Sequence, residues 1–538
     1  MVAAAGSEGS LSPRIAWTLL SSFAVLLALF IIAARERSAV TGLALERSPD
    51  VLRQRAKETL QALGVVADGE PIAVFHELHA YAQWMREHDA RWWETWRRGL
   101  SPVQYRLEYG MDVAMSLVIP GTASAPGWTA VDIDPHGRVT YLLATPKTPP
   151  TPKSLDWKPV LAAAGFEPAK LRPVSSTHAP AAPFDARAAW TGTYPGDRTP
   201  VRVEAAAWQG TPVFFRVTGP WEENTVPAPT GFGSPILFTF FRALTFVVCG
   251  SAFFLAWRNV RLRRGDRQSA ARVAIALLLI ETAALALTHP WNATGTRPIP
   301  DLRRIIGYSM VSAAVLYLLY IALEPYARRR WPEQLIAWAR LCGGRVRDPL
   351  VGRHVLIGAV AGVLHAAISI GTRLVASWHG PTSDRFTFLD VRVLGGVRQS
   401  FAHVAFGAAA GLKQGFLFMM ILVIATMILR KRMLAAALLL AITSTYFIIA
   451  VGSNPALIPS YLVVAVLMAG VAVRFGLLAM AVMHGTFMVL LGPPPPGGPA
   501  WMTPLAWIPI IAVTLIAVWA FRTSLGGQSA FGAKMFDE

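Results

Sequence analysis

The sequence predicts a polytopic α-helical membrane protein of about ten spans, with an α+β domain between the first and second spans. Three observations predict it. Hydrophobic residues make up 54% of the 538 positions and charged residues only 15%, against about 25% charged in ordinary soluble domains; mean hydropathy is +0.43. Apolar runs of about 20 residues, the length that crosses a hydrocarbon core about 30 Å thick, recur along the chain. Lys and Arg gather in short loops after every second run.

The first run, IAWTLLSSFAVLLALFIIA (15–33), is as long as a full span and has no small-residue cleavage site, so it reads as an uncleaved anchor behind a short tail, 1–14. The chain is then ordinary and polar to residue 234. Nine further runs follow, at 235–257, 271–288, 305–323, 354–376, 402–429, 433–451, 458–473, 475–492 and 503–521, with a tail from 526 to 538.

Orientation follows from the basic loops, because short cytoplasmic loops carry an excess of Lys and Arg. RNVRLRRGDRQSAAR (258–272), ALEPYARRRWPEQLIAWARLCGGRVRDPLVGR (322–353), RKR (430–432), Arg474 and Arg522 all fall on one parity. Loops of the other parity are rich in Pro, Gly and Trp, although Arg303, Arg304, Arg385, Arg392 and Arg398 occur there. The expectation is a bacterial inner-membrane protein with both termini cytoplasmic and residues 34–234 outside. LEPYARRRWP is expected along the membrane surface, with Tyr326, Trp331 and Trp338 at headgroup depth.

The net charge of +18, from 50 Lys and Arg against 32 Asp and Glu, would raise nucleic acid as a partner in a soluble protein. Here the charge is topological, and no nucleic acid is expected. The two cysteines, Cys249 in an apolar run and Cys342 in a basic loop, predict neither a disulfide framework nor zinc or redox chemistry.

Region 34–234 is large enough for its own core. VLRQRAKETLQALG (51–64) has helical spacing and a stop at Gly64. FHELHAYAQWMREHDARWWETWRR (75–98) reads as amphipathic helix, its Trp92, Trp93 and Trp96 cluster as core. GWTAVDIDPHGRVTYLLA (127–144) alternates about Asp134-Pro135-His136-Gly137, a hairpin. A proline-rich linker (145–154), a short helix in DWKPVLAAAGFEP and a second hairpin turning near Gln209-Gly210 complete a weak internal duplication, similar to two small PepSY-type copies.

With DARAAW (185–190), VRVEAAAWQGTPVFF (201–215), GPW (219–221), RNVRLRRGDR (258–267), LEPYARRRWP (323–332), RVRDPLVGR (345–353) and VRFGLLAMAV (473–482), the chain resembles the membrane half of bacterial serine/threonine protein kinases found notably in acidobacteria. In that family a cytoplasmic kinase domain precedes the first span. The resemblance covers nearly all of 15–525, but the sequence has no glycine-rich phosphate loop, V-A-I-K, H-R-D or D-F-G, which phosphoryl transfer needs. By its own residues the chain is not a kinase.

The last spans also resemble, more faintly, the prenyl-protease-like (CPBP) intramembrane metalloproteases. That resemblance implies a Glu-Glu pair where Lys413 and Gln414 stand, a histidine near Tyr446, and an Asn four residues after His484 where the chain has Met488. Several convergent ligands are needed for a catalytic metal, so the resemblance implies a degenerate, noncatalytic descendant.

Other chemistry-bearing residues have two readings each. His76, His79 and His484 are weak metal candidates, the first two as one helix face; solvated helix histidines are the bland alternative, and no cofactor is expected. Glu281, Lys413, His365 and His403 lie in or near apolar runs, where ionisable groups are costly enough to imply a role. Glu281 could pair with Lys413 or Arg373 or stay protonated among the helices, and hydrogen bonding between helices is the bland alternative to an ion pathway for the set. Gly407, Gly411 and Gly415 form a small-xxx-small face for helix packing or homo-oligomerisation. Arg328, Arg329, Arg330, Arg345, Arg347 and Arg353 are candidate docking residues for a cytoplasmic signalling protein.

No catalytic constellation is legible. The expectation is a sensor or accessory membrane subunit of a signalling system, with the bilayer, a cytoplasmic signalling protein and a ligand of the outer domain as partners. The alternatives are a transporter-type bundle and the degenerate protease. Convergence of the intramembrane ionisable residues on one cavity would favour the alternatives, and scatter the first reading.

Overall fold

A computed structural model describes residues 9–37, 43, 45–89, 92–110, 126–223, 235–289, 298–378, 390–450 and 457–530. Trp291-Asn292-Ala293-Thr294, which matches an N-glycosylation pattern, Arg385 and the side chains of Trp93 and Arg373 lie outside the described residues.

Helix α1 (Pro13–Arg37) leads to a domain whose local signals are explicit. Helix α2 (Pro49–Leu63) starts at Ser48, which accepts a hydrogen bond from the Val51 N–H, has Pro49 in its first turn, and closes on Gly64 at φ 71°. Strands and helices then follow as β1 (Ile72–Glu77), α3 (His79–His88), α4 (Trp92–Arg98), β2 (Val103–Tyr109), β3 (Trp128–Ile133), β4 (Val139–Thr145), α5 (Lys158–Ala163), β5 (Arg172–Val174), β6 (Ala186–Thr193), β7 (Pro200–Trp208) and β8 (Thr211–Thr218). The β7–β8 turn has Gln209 at φ 50° and Gly210 at φ 79°, the two left-handed residues of a type I′ hairpin.

The eight strands form one antiparallel sheet in the order β1-β2-β3-β4-β8-β7-β6-β5. Each half is a helix followed by four antiparallel strands paired in chain order, with α3 and α4 inserted between β1 and β2 of the first, and the halves join where Leu142 of β4 faces Phe215 of β8. One sheet face buries Phe75, Tyr105, Leu107, Val131, Leu142, Val203 and Phe215 against α2–α5, and Trp92 and Trp96 lie in this core.

The expected helix over 75–98 is corrected at its start. Residues 72–77 are strand β1, and helix begins only at His79. Pairing with β2 and burial of Phe75 against Tyr105, ring centroids 4.6 Å apart, override the local helical pattern.

The remainder is helical: α6 (Pro235–Arg261), α7 (Arg267–Thr288), α8 (Pro298–Arg330), α9 (Glu333–Cys342), α10 (Pro349–Trp378), α11 (Val397–Leu429), α12 (Arg432–Ala450), α13 (Ile458–Arg474), α14 (Gly476–Leu490) and α15 (Thr503–Ser524). Every expected span falls on one of these helices or on α1. Among the described residues six are long and apolar enough to cross a membrane, namely α1, α7, α8, α10, α11 and α15.

Helix α14 has only 15 residues, about 22 Å at 1.5 Å per residue, shorter than a hydrocarbon core. It is held inside the bundle between α10 and α11. Glycines permit this approach: a Cβ on Gly362 would stand 2.5 Å from the Met483 carbonyl oxygen, and one on Gly411 would stand 2.4 Å from that of Ala481. The Gly407, Gly411 and Gly415 face is therefore occupied within the chain.

LEPYARRR is not a surface segment but the end of α8, with Pro325 inside the helix. Proline cannot donate to the carbonyl four residues back. The buried Asn259 side chain of α6 supplies that donor, with Nδ2 2.9 Å from Ile321 O and 3.3 Å from Ala322 O. Trp331 and Trp338 are only 3% and 4% exposed, packed among the helices rather than facing outward. Trp331 donates to Thr426 Oγ1 at 3.0 Å, and Trp338 packs edge-on to Phe416.

At one end of the bundle the sheet domain is seated on two loops. Leu394 and Met502 join its hydrophobic core, and Trp501 Nε1 donates to Leu45 O at 3.0 Å. At the other end Leu11 N–H donates to Ser524 O at 2.9 Å, and Trp17 Nε1 to Ala530 O at 2.8 Å.

Candidate functional site

Glu281 lies on the α7 face that also buries Leu277 and Ala284, and α7 packs on α11. This brings Lys413 Nζ to 2.6 Å from Glu281 Oε1. Glu281 is 1% exposed, whereas the Lys413 side chain is 46% exposed. An isolated carboxylate in an apolar interior is strongly unfavourable, so Lys413 serves as its counterion. Glu281 Oε2 has no partner among the described residues.

His365 of α10 stacks parallel on Phe487 of α14 at 3.6 Å between centroids, and His484 lies against the same ring at 5.9 Å. Neither ring nitrogen of His365 is hydrogen-bonded among the described residues, nor is His484 Nδ1 or the Ser369 hydroxyl one turn beyond His365. His403 is elsewhere, at the domain end, with Nδ1 3.8 Å from Asp390 Oδ2. Gly411 faces α14, and Lys413 two residues later lies about 200° further round the helix, toward α7. The ionisable residues thus occupy separate helix contacts.

The histidine metal face is corrected with β1. His76 is on the strand, its Nε2 3.2 Å from Asp132 Oδ2, and His79 is on α3, its Nδ1 3.3 Å from Glu77 Oε2. Among the described residues no group of three or more His, Cys, Asp and Glu side chains is placed to hold a metal ion.

Sequence reasoning missed a row of polar side chains on the sheet face opposite α2–α5. Arg106, Asp132, Tyr141, Arg216 and Glu204 are successive register partners across β2, β3, β4, β8 and β7, spanning about 19 Å at 4.8 Å per strand. Arg106 grips Asp132 with two hydrogen bonds, 2.7 and 2.8 Å, and its guanidinium lies 5.3 Å from the Tyr141 ring centre. Arg202 and Ser176 satisfy Glu204, each at 2.7 Å. The signal was present as charges at alternate strand positions, but only the register makes them neighbours.

Burial alone would raise the Asp132 carboxyl; Arg106 and His76 instead hold it well below the usual carboxylate range. A carboxyl depressed in the folded state contributes stability above its unfolded value, near pH 4, and loses it as pH falls toward the folded value. The domain is therefore expected to weaken progressively below about pH 4, as read by circular dichroism. Arg106→Met is expected to cost about 3 kcal/mol at neutral pH and to flatten this acid dependence; an acid profile identical to that of the native chain would refute the assignment.

The candidate docking arginines sit at the end remote from the sheet. Arg328 pairs with Glu324 at 2.6 Å, yet its side chain is 65% exposed. Arg329, Arg330, Arg345 and Arg347 are also exposed, and Arg353 is half-buried. Comparison of the chain with family models, characterised proteins and solved structures gives no match.

Proposed function

We propose that this is a ten-span bacterial inner-membrane sensor or accessory signalling subunit, with the sheet domain outside and both ends of the chain cytoplasmic. One observation carries the reading. Leu394 and Met502 belong to the domain's hydrophobic core, and their loops run directly into α11 and α15, so a change in the domain reaches two helices that traverse the bundle. The exposed arginines lie at the far end of those helices, where a cytoplasmic partner would read the change. The scatter of Glu281–Lys413, His365–His484 and His403 supports this reading over a transport path. The resemblance to kinase membrane halves supports a signalling context.

The test is hydrogen exchange on the full chain in lipid nanodiscs. Met502→Ala with Trp501→Phe is expected to alter exchange at 324–353 as well as at the seam. Unchanged exchange at 324–353, with the seam itself loosened, would overturn the coupling. In proteoliposomes, ion flux abolished by Glu281→Gln would favour the transporter instead.

A further inference from the structure

The helices leave a cleft of about 580 Å³ open along the side of the bundle. Its floor is α14, its walls are α7 and α15, and small residues, Ala276, Ala408, Gly485 and Ala512, leave the space. It extends along α14 from Leu478 to Val489, about 16 Å at 1.5 Å per residue. Most of its lining is apolar; Arg272, Trp338 and Cys342 stand at the arginine-rich end, and Thr486 lies toward the other.

We propose that this cleft binds one anionic bilayer phospholipid, an acyl chain lying on α14 and the phosphate held by Arg272. The proposal rests on the membrane placement of the bundle, but not on its sensing role. A lateral apolar cleft between membrane helices is supplied with acyl chains by the bilayer itself. The polar end selects the headgroup. Arg272 is exposed and gives one hydrogen bond, Nη1 to Cys342 O at 2.6 Å, which fixes the guanidinium at the mouth. A guanidinium has five N–H donors in a planar fork suited to phosphate. Trp338 lines the cleft, is 4% exposed, and its Nε1 has no hydrogen-bond partner among the described residues. That nitrogen is buried, so a headgroup or glycerol oxygen bonds it only where the indole turns toward the cleft.

The experiment is native mass spectrometry of the full chain in detergent, titrated separately with phosphatidylglycerol and phosphatidylcholine of identical acyl chains. One tightly retained phosphatidylglycerol is expected, at least about tenfold preferred over phosphatidylcholine. Arg272→Gln is expected to remove most of that preference. Ala276→Phe with Ala512→Phe fills the cleft from both walls and is expected to abolish the tight site; Ala408→Phe, entering from α11, is the second variant if that pair does not fold. Equal retention of both lipids by the native chain, or undiminished phosphatidylglycerol in a folded cleft-filled variant, would overturn the proposal, as would a cleft occupied by a second copy of the chain.

Discussion

Gly411→Leu is expected to destabilise the bundle by about 4 kcal/mol or more. A Cβ at Gly411 would stand 2.4 Å from the Ala481 carbonyl oxygen and 2.8 Å from the Gly485 Cα. Both obstacles are backbone of a helix held on its other side by the close approach at Gly358 and Gly362, so α14 has nowhere to retreat. Overpacking a well-filled core costs about 1–3 kcal/mol even where side chains can move. Where backbones must part and the surrounding contacts are lost, about 4 kcal/mol or more is expected, a large share of the about 5–15 kcal/mol that holds a typical protein folded. Gly250→Ala and Gly307→Ala are the controls, since nothing lies within 4 Å of a Cβ at either. They are expected to be neutral or to gain up to about 1 kcal/mol from helix propensity. Thermal unfolding in detergent reads all three, and equal losses would refute close approach as the reason for Gly411.

Lys413→Met is expected to cost about 3–5 kcal/mol, because it strands Glu281 without its counterion. The substitution keeps much of the unbranched side chain and so isolates the charge. Glu281→Gln with Lys413→Met is expected to recover most of the loss, since two neutral groups then share the contact. A double variant as unstable as Lys413→Met would show that packing, rather than the ion pair, governs the site. Flux measured on the same variants separates this structural role from transport.

Lone ionisable groups in apolar runs made this pair legible: Glu281 and Lys413 could be matched because few alternatives existed at that depth. Turn chemistry was equally legible, since Gly64 and the Gln209-Gly210 turn act through local backbone geometry. Long spans declared themselves by composition. Strand β1 did not, because its pairing with β2 lies outside any local window and its neighbours favour helix. The burial of Trp331 and Trp338 was hidden for a related reason: an aromatic beside a basic loop has the same sequence signature whether it faces headgroups or a neighbouring helix. The polar row on the sheet needs strand register, and the lateral cleft is made by what small residues omit, so neither has a linear motif. The seam at Leu394 and Met502 combines residues distant in the chain with a domain formed earlier in it.

The bonds between the two ends of the described chain also set an order of assembly. Trp17 reaches Ala530 across 513 positions, and α1 packs on α10 and α15. At roughly 5–20 residues per second, the last of these helices emerges from the ribosome roughly half a minute to a minute and a half after the first. Until α10 follows, the faces of Phe23 and Leu27, buried in the finished molecule, lie against lipid. Closing the bundle therefore requires those lipids to leave, which makes the final step of biogenesis sensitive to the bilayer's own composition.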